Sequence, residues 1–418
     1  MAGSKFEGNI QDVTQRQLEY INSVIEQEGF KNSKVKLEPV GAAAGDNYVA
    51  NVKRIIVEGD GGNLSIIAKI APSSEQIRNN FQSPVVFLNE IFMYTKILPK
   101  FLQLQKQAGV PEDEQIKFPK YYGSLSEAPN EIILLEDLKV AGYNMLDRFI
   151  PLTDYVVRGV LKSLATWHSL SYVLKAKEPG TFNHFRDSLV DYWVHFYELK
   201  DNPVIDVLRQ VETIAIGLLS DYPQYQSIIK DKVNAFMERT VKMKKIEDGN
   251  RFSVIQHGDA WTNNIMFQFR EDGTLKESML IDYQIARNAS PVSDILYFIF
   301  NCTHHEARNE YFNEWLDHYH SELDKSLANF GIKANYVYPR DQLDADLKRY
   351  GKLSVGNVIV TNIMTSLKPE LASKVKDQMD SSDLSNLLTE DDMDAGTLTA
   401  LRKRLVGLAD SFNRFGLV

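Results

Sequence analysis

Two short stretches hold the side chains best suited to chemistry, His257-Gly258-Asp259-Ala260-Trp261-Thr262-Asn263-Asn264 and Ile281-Asp282-Tyr283-Gln284. Together they offer two carboxylates and a carboxamide, oxygen groups of the kind that orient a hydroxyl and hold a hard divalent cation. Residues 265–269 and 278–281 read as strands around a turn at Asp272-Gly273. A hairpin of that length returns Asp282 to the neighbourhood of Asp259 and Asn264.

Transfer of a phosphoryl group from a nucleotide calls for such a set: a carboxylate facing the attacking hydroxyl, oxygen ligands for Mg²⁺, and a cation for the phosphates. Asp259 fits the first role, Asn264 and Asp282 the second. Lys69 is the candidate cation, because it sits inside the apolar run 64–70, which reads as a strand. A buried lysine without a partner loses its proton or costs several kcal/mol, so a carboxylate should lie close to it. Glu90 qualifies, on the helical pattern 85–98 set by Phe87, Ile91, Tyr94 and Leu98. Taken singly, Lys69 also reads as an edge-strand lysine snorkelling to water and Glu90 as a solvated helix charge. Upstream, Gly41-Ala42-Ala43-Ala44-Gly45-Asp46-Asn47-Tyr48 joins two β-like segments, 35–40 and 49–57. In that turn Gly41, Gly45 and Asn47 would offer backbone N–H groups to phosphates, although a glycine turn alone is more often an ordinary hairpin.

The elements that must position these residues fall into two groups. Thr14 and Gln17 form a capping-box pattern, and Leu18, Ile21, Val24 and Ile25 continue a helix to Gly29. Strand-like segments follow at 35–40, 49–57, 64–70, 118–125 and 132–135, with the 85–98 helix among them. From about residue 152 the spacing becomes helical. The spacing predicts an α+β chain, with a small β-rich lobe over 1–137 and a larger, mainly helical lobe over 138–418 that carries both chemical stretches. The acidic, serine-rich segment 377–394 lacks the glycine of a calcium-binding loop and reads as solvated surface.

Bulk properties exclude several classes. At 418 residues the chain is long enough for two substantial cores. Its net charge of -9 disfavours a nucleic-acid or anionic-membrane partner. The longest apolar run, 295–300, cannot span a bilayer, and residues 1–5 contain no apolar leader. A single cysteine, Cys302, excludes an intramolecular disulfide and suits a reducing compartment, so a cytoplasmic protein is expected.

His257 to Asn264 taken with Asp282-Tyr283-Gln284 resembles the catalytic and metal-binding motifs of the protein-kinase-like superfamily, on its small-molecule side. More narrowly, Leu134-Leu135-Glu136-Asp137-Leu138, Trp167-His168-Ser169-Leu170-Ser171 and Ser290-Pro291-Val292-Ser293-Asp294-Ile295 look like the ecdysteroid kinase-like family, over about residues 35–330. The resemblance implies a bilobal protein-kinase-like fold, ATP and Mg²⁺ as cofactors, and phosphorylation of a small-molecule hydroxyl such as that of an ecdysteroid. It implies Asp259 as catalytic, Asn264 and Asp282 as metal ligands, and Lys69 and Glu90 as an ion pair. Glu136 and Leu138 would meet adenine through their backbone, and Asp294 would brace the catalytic loop. Trp261 stands where protein kinases carry lysine, and no Ala-Pro-Glu segment is found, which speaks against a protein substrate. Ala50 stands where related chains often have serine, and Tyr283 replaces the commoner phenylalanine.

A steroid-like acceptor needs an apolar, aromatic cleft. Trp193, Phe196, Tyr197, Tyr222, Tyr225 and the His304-His305 pair are the expected lining, although the same helical spacing fits ordinary core. A choline/ethanolamine-type or aminoglycoside-type phosphotransferase is the alternative within enzymes, and a non-catalytic nucleotide-binding pseudokinase the alternative outside them. Retention of Lys69, Asp259, Asn264 and Asp282 together weighs against the last.

Overall fold

A computed structural model of the chain describes residues 4–40, 50–59, 62–199, 204–381, 384 and 387–418. Its N-terminal region is one sheet of strands β1 (Lys5–Gly8), β2 (Lys34–Pro39), β3 (Asn51–Gly59), β4 (Gly62–Ile70), β5 (Tyr121–Leu125) and β6 (Ile132–Glu136). Their order across the sheet is β1-β2-β3-β4-β6-β5, with β1 and β2 parallel and the remaining pairs antiparallel.

Strand alternation explains what each face does. Ile66, Ala68 and Ile70 of β4, with Ile132 and Leu134 of β6, pack against Ile21, Val24 and Ile25 of the Gln15–Gln27 helix. That helix starts at the Thr14–Gln17 capping box foreseen from sequence. Side chains one residue out of phase point the other way, so Lys69, paired in register with Ile133, faces the rest of the molecule. There Ile133 and Leu135 join the main core with Phe87, Tyr94 and Ile97.

The helix expected over 85–98 is longer. It runs as Ser83–Phe92, a π-helical turn Met93–Ile97 and a further helix Leu98–Gln107. Pro84 sits in its first turn, where a missing N–H costs nothing.

Beyond β6 the chain is mainly helical. The long Asp154–Lys177 helix packs along the His305–Ala328 helix and under a small sheet ordered β10-β9-β7, from Leu275–Leu280, Ile265–Phe269 and Asn144–Met145. A two-stranded ribbon, β8 (Val254–Gln256) with β11 (Arg287–Ala289), lies beside it. The Pro291–Cys302 helix is apolar on all sides and almost wholly buried, as a helix enclosed by others must be. It packs against the Arg340–Thr365 helix. The architecture is the expected α+β arrangement, a small sheet region followed by a larger helical one. The segment 377–394 departs from the solvated surface expected of it: Leu384, Leu387 and Leu388 are buried, and Asn80 donates to the carbonyls of Met379 and Ser381. Its charges masked those leucines in the sequence. Among the described residues no helix is long and apolar enough to cross a membrane.

Candidate active site

The loop 257–264 leaves the end of β8, and three layers hold it. Trp167 Nε1 donates to the Ile255 carbonyl (2.6 Å), and Ser171, one turn on, accepts from the Ile255 N–H (3.0 Å). Asp294 accepts from the N–H groups of His257 and Gly258 (both 2.8 Å) and stands 3.0 Å from His168 Nε2. Burial alone would raise the Asp294 carboxyl, but the bond from His168 and the backbone donors hold it below the usual carboxylate range. Asp294 is placed by its helix start, where Ser290 caps the Val292 N–H and Pro291 opens the first turn. Gly258 has φ 87°, and a Cβ there would meet the Ile285 carbonyl oxygen at 2.5 Å, so the close approach of the loop to the segment before β11 needs glycine.

His257 joins this loop to the segment that follows β10. Its Nδ1 accepts from the Asp259 N–H (3.2 Å), so Nε2 is the protonated nitrogen and donates to the Ile281 carbonyl (2.9 Å). Burial lowers its pKa, in keeping with a neutral ring. The next residue, Asp282, has φ 66°, a left-handed conformation that aspartate tolerates at modest cost. Tyr283 stacks on Trp167, and its hydroxyl donates to the Leu280 carbonyl (2.6 Å), so the departure from phenylalanine leaves no unpaired polar group.

The five charged or amide residues singled out from sequence, Lys69, Glu90, Asp259, Asn264 and Asp282, are brought together. Lys69 is buried and bonded to Glu90 and, at 2.8 Å, to Asp282. Burial would strip its proton, but the two carboxylates outweigh that and raise its pKa. The lysine therefore stays cationic. Asn264 donates its amide to the Asp259 carbonyl (2.9 Å) and to Asp259 Oδ2 (2.8 Å), which leaves its own side-chain oxygen to offer a cation. Burial pushes the Asp259 carboxyl up to about 7, against hydrogen bonds from Tyr297 and Asn264 that pull it down.

Two cavities meet at Lys69, Asn264 and Asp282. One, of about 440 Å³, lies between Val40, Val52 and Ile67 of the sheet and Met266 and Ile281 of the hairpin, with Leu135 to Leu138 along its edge. There Glu136 pairs with Lys120 through its backbone N–H, and the Leu138 carbonyl accepts from Tyr143, so Leu138 has its N–H to offer. Asp137, between them, turns back to the sheet and accepts from Arg54 (2.6 Å) and Ser65 (2.7 Å). The other cavity, of about 240 Å³, contains Asp259 and is walled by Tyr192, Trp193, Trp261, Tyr297 and the Val360–Met364 turn. A larger groove of about 500 Å³ opens behind the β9–β10 hairpin and contains none of the five residues.

Gly41, Gly45 and Asn47 lie outside the described residues. Of the expected acceptor lining only Trp193 is in place. Phe196 is buried core, Tyr197 is exposed, and Tyr225 bonds Asp410 (3.0 Å) beside Tyr222. His304 stands just before a helix at its N-cap position, and His305 faces Gly407 and Ser411. Helical spacing showed that these aromatics share faces but not which face meets the loop. Tyr297, Thr361 and Asn89 were missed altogether. Tyr297 carried one usable signal, since it lies three residues after Asp294 on the same helix face. Asn89 reaches the carbonyls of Val190 (2.8 Å) and Gln284 (3.3 Å), and nothing local announces it.

As a metal site, the donors are few. Among the described residues no group of three or more His, Cys, Asp or Glu side chains converges. Asn264 and Asp282 alone fit a Mg²⁺ that completes its shell with water and phosphate oxygens, the usual habit of that ion.

Fold and site together define a chain of the protein-kinase-like class. It belongs to the ecdysteroid kinase-like family, which matches residues 44–332, and so to the kinase-like small-molecule phosphotransferases. Among solved structures, the ethanolamine kinase of Plasmodium vivax aligns over 90% of this chain and 82% of its own, with 11% identity and a TM-score of 0.38. Wild-type aminoglycoside 2'-phosphotransferase-IIIa, solved as a GDP complex, aligns over 96% and 99%, with 13% identity and a TM-score of 0.36. Spectinomycin phosphotransferase, solved with ADP and spectinomycin, aligns over 88% and 96%, with 12% identity and a TM-score of 0.37. Likeness this remote says nothing about substrate. A curated relative, the uncharacterized oxidoreductase dhs-27 of Caenorhabditis elegans, is 22% identical over 191 residues, 42% of this chain and 23% of its own length. The chain thus matches about a quarter of that relative.

Proposed function

We propose that this chain transfers the γ-phosphate of ATP to a hydroxyl of a small, neutral, largely apolar acceptor, an ecdysteroid-like alcohol being the leading class. The observation that carries the reading is the junction of the two cavities at Lys69, Asn264 and Asp282. The larger cavity has apolar side chains on two sides, Val40, Val52 and Ile67 facing Met266 and Ile281, and a backbone edge suited to a purine, and the smaller one contains Asp259. On this reading the lobes divide after residue 137.

In this proposal Lys69, kept cationic by Glu90 and Asp282, holds phosphate oxygens. Asn264 and Asp282 hold Mg²⁺, which when bound neutralises charge on the transferring phosphoryl group. Asp259 orients the acceptor hydroxyl and takes its proton as the oxygen bonds to the γ-phosphorus and the bond to the β-phosphate oxygen breaks, releasing ADP. A carboxyl raised towards neutral suits that task better than a strongly acidic one.

The acceptor wall favours a neutral molecule. Its carboxylates are Asp259 and Asp282, both committed to transfer, so no carboxylate is set aside for an ammonium group. That argues against an aminoglycoside, whose several cations would need paired acids, whereas the rings of Tyr192, Trp193, Trp261 and Tyr297 keep a quaternary amine such as choline as the second reading. A panel of ecdysteroids, sterol glycosides, choline and aminoglycosides, each incubated with the protein, Mg²⁺ and γ-labelled ATP, tests this. Label on a neutral polycyclic alcohol is the expected result, and label on the cations alone would overturn the acceptor class.

A further inference from the structure

The two oxygens of Asp259 are each held by a neutral donor. Asn264 reaches Oδ2, and the Tyr297 hydroxyl reaches Oδ1 at 2.6 Å. The same hydroxyl lies 3.1 Å from Thr361 Oγ1 on the Arg340–Thr365 helix. Tyr297 has one proton and a carboxylate can only accept, so that proton goes to Asp259 and Thr361 donates to Tyr297. Burial raises the phenol well above its ordinary pKa, which keeps it a donor. The result is a polarised chain, Thr361 to Tyr297 to Asp259, in which each bond strengthens the next.

The chain runs between two places that matter. Tyr297 stands three residues after Asp294 on the same helix, so one helix holds both the loop's backbone and its carboxylate. Thr361 lies in the wall of the smaller cavity, beside Asn357 and Val360, where an acceptor would rest. Trp261 does not supply a cation to Asp259, and among the described residues the side chains hydrogen-bonded to the carboxylate are Asn264 and Tyr297.

We propose that Tyr297, supported by Thr361, is the positioning residue for Asp259, fixing the carboxylate so that its free lone pairs face the acceptor hydroxyl. It thereby ties the rate of transfer to how the acceptor sits against the Arg340–Thr365 helix. This inference rests on Asp259 as the base proposed above. Tyr297 is not itself a base here, since its proton is committed and its phenol is buried.

The test uses the full chain as wild type, Tyr297→Phe, Thr361→Val, the double variant and Asp259→Asn. Transfer from γ-labelled ATP is followed with 20-hydroxyecdysone and, separately, with water as acceptor. Tyr297→Phe is expected to lower kcat by about 10- to 100-fold, the cost of a misplaced catalytic group, with KM for ATP unchanged. Thr361→Val should act in the same direction but less, and the double variant should be no worse than Tyr297→Phe alone. A merely structural tyrosine would instead lower the thermal midpoint and leave kcat at the wild-type value. Crystal structures of wild type and Tyr297→Phe with Mg²⁺ and a non-hydrolysable ATP analogue supply a readout that needs no acceptor: the Asp259 carboxylate should rotate in the variant. An unmoved carboxylate or an unchanged kcat would overturn the positioning role. If Asp259→Asn turns over like wild type, the proposed base fails; if it is inactive while Tyr297→Phe is not, only the positioning role fails.

Discussion

The two cavities that meet at Asp282 are built by different means. The larger is enclosed by antiparallel strand pairs, β3 with β4, β4 with β6 and β9 with β10, and it holds two ion pairs, Lys69 to Glu90 and Arg54 to Asp137. The smaller is enclosed largely by side chains from four helices, Ser83–Phe92, Tyr192–Glu198, Pro291–Cys302 and Arg340–Thr365, that come from distant parts of the chain. Away from Lys69, Asp259 and Asp282 its wall is apolar apart from a few hydroxyls and amides. Ladder hydrogen bonds and buried ion pairs fix geometry tightly. Helix packing tolerates changes of side-chain size more readily, provided volume is conserved. The difference suits the roles proposed for them, a donor site that must stay constant and an acceptor site that can be reshaped.

Substitutions can break that comparison or sharpen it. The largest effect is expected from Asp259→Asn, which should lower phosphoryl transfer by about 10²- to 10⁴-fold while Mg-ATP affinity stays close to wild type. Transfer assays beside calorimetry would check it; equal losses in both would place Asp259 on the donor side. Next comes Asp294→Asn, which replaces an acceptor oxygen with an amide facing N–H donors and should cost about 3–5 kcal/mol in denaturant unfolding. Asp294 has a folded pKa below its unfolded one. Its contribution is therefore complete above about pH 4 and lost as pH falls through the lower folded value. The variant should accordingly show a flatter acid limb of stability.

Glu90→Gln is expected to do less, about a tenfold rise in KM for ATP, because Lys69 keeps Asp282 as a partner. The smallest effect is predicted for Trp193→Ala, a change of about threefold to tenfold in acceptor KM with ATP kinetics untouched. If Trp193→Ala altered ATP binding as much as Glu90→Gln does, the two cavities would not be the separate subsites described above.

Legibility in the sequence follows the same division. Lys69 was readable because one charge interrupts an apolar strand, and Asp282 because a hairpin of known length returns it to Asp259. Glu90 followed from the need to neutralise Lys69. The apolar runs that became β4 and β6 announced strands of a small sheet. The acceptor wall was not readable, because helical spacing reveals which residues share a face and not which helix that face meets. Phe196 and Trp193 are three apart on one helix, yet only the indole lines the cavity. Asn89 and Thr361 act across separations that no local pattern encodes, and Tyr297 was marked only by its spacing from Asp294. The buried leucines of 377–394 were hidden among acidic residues that do face water.

The most direct test of the central claim needs no acceptor. Titrating the full chain with ATP by calorimetry, once with Mg²⁺ and once with a chelator, should reveal one site per chain that is markedly tighter with the metal. The preference for the metal should disappear in Asp282→Ala. Equal affinity with and without Mg²⁺, or no binding in either case, would contradict the assignment of Lys69, Asn264 and Asp282 to the nucleotide's phosphates.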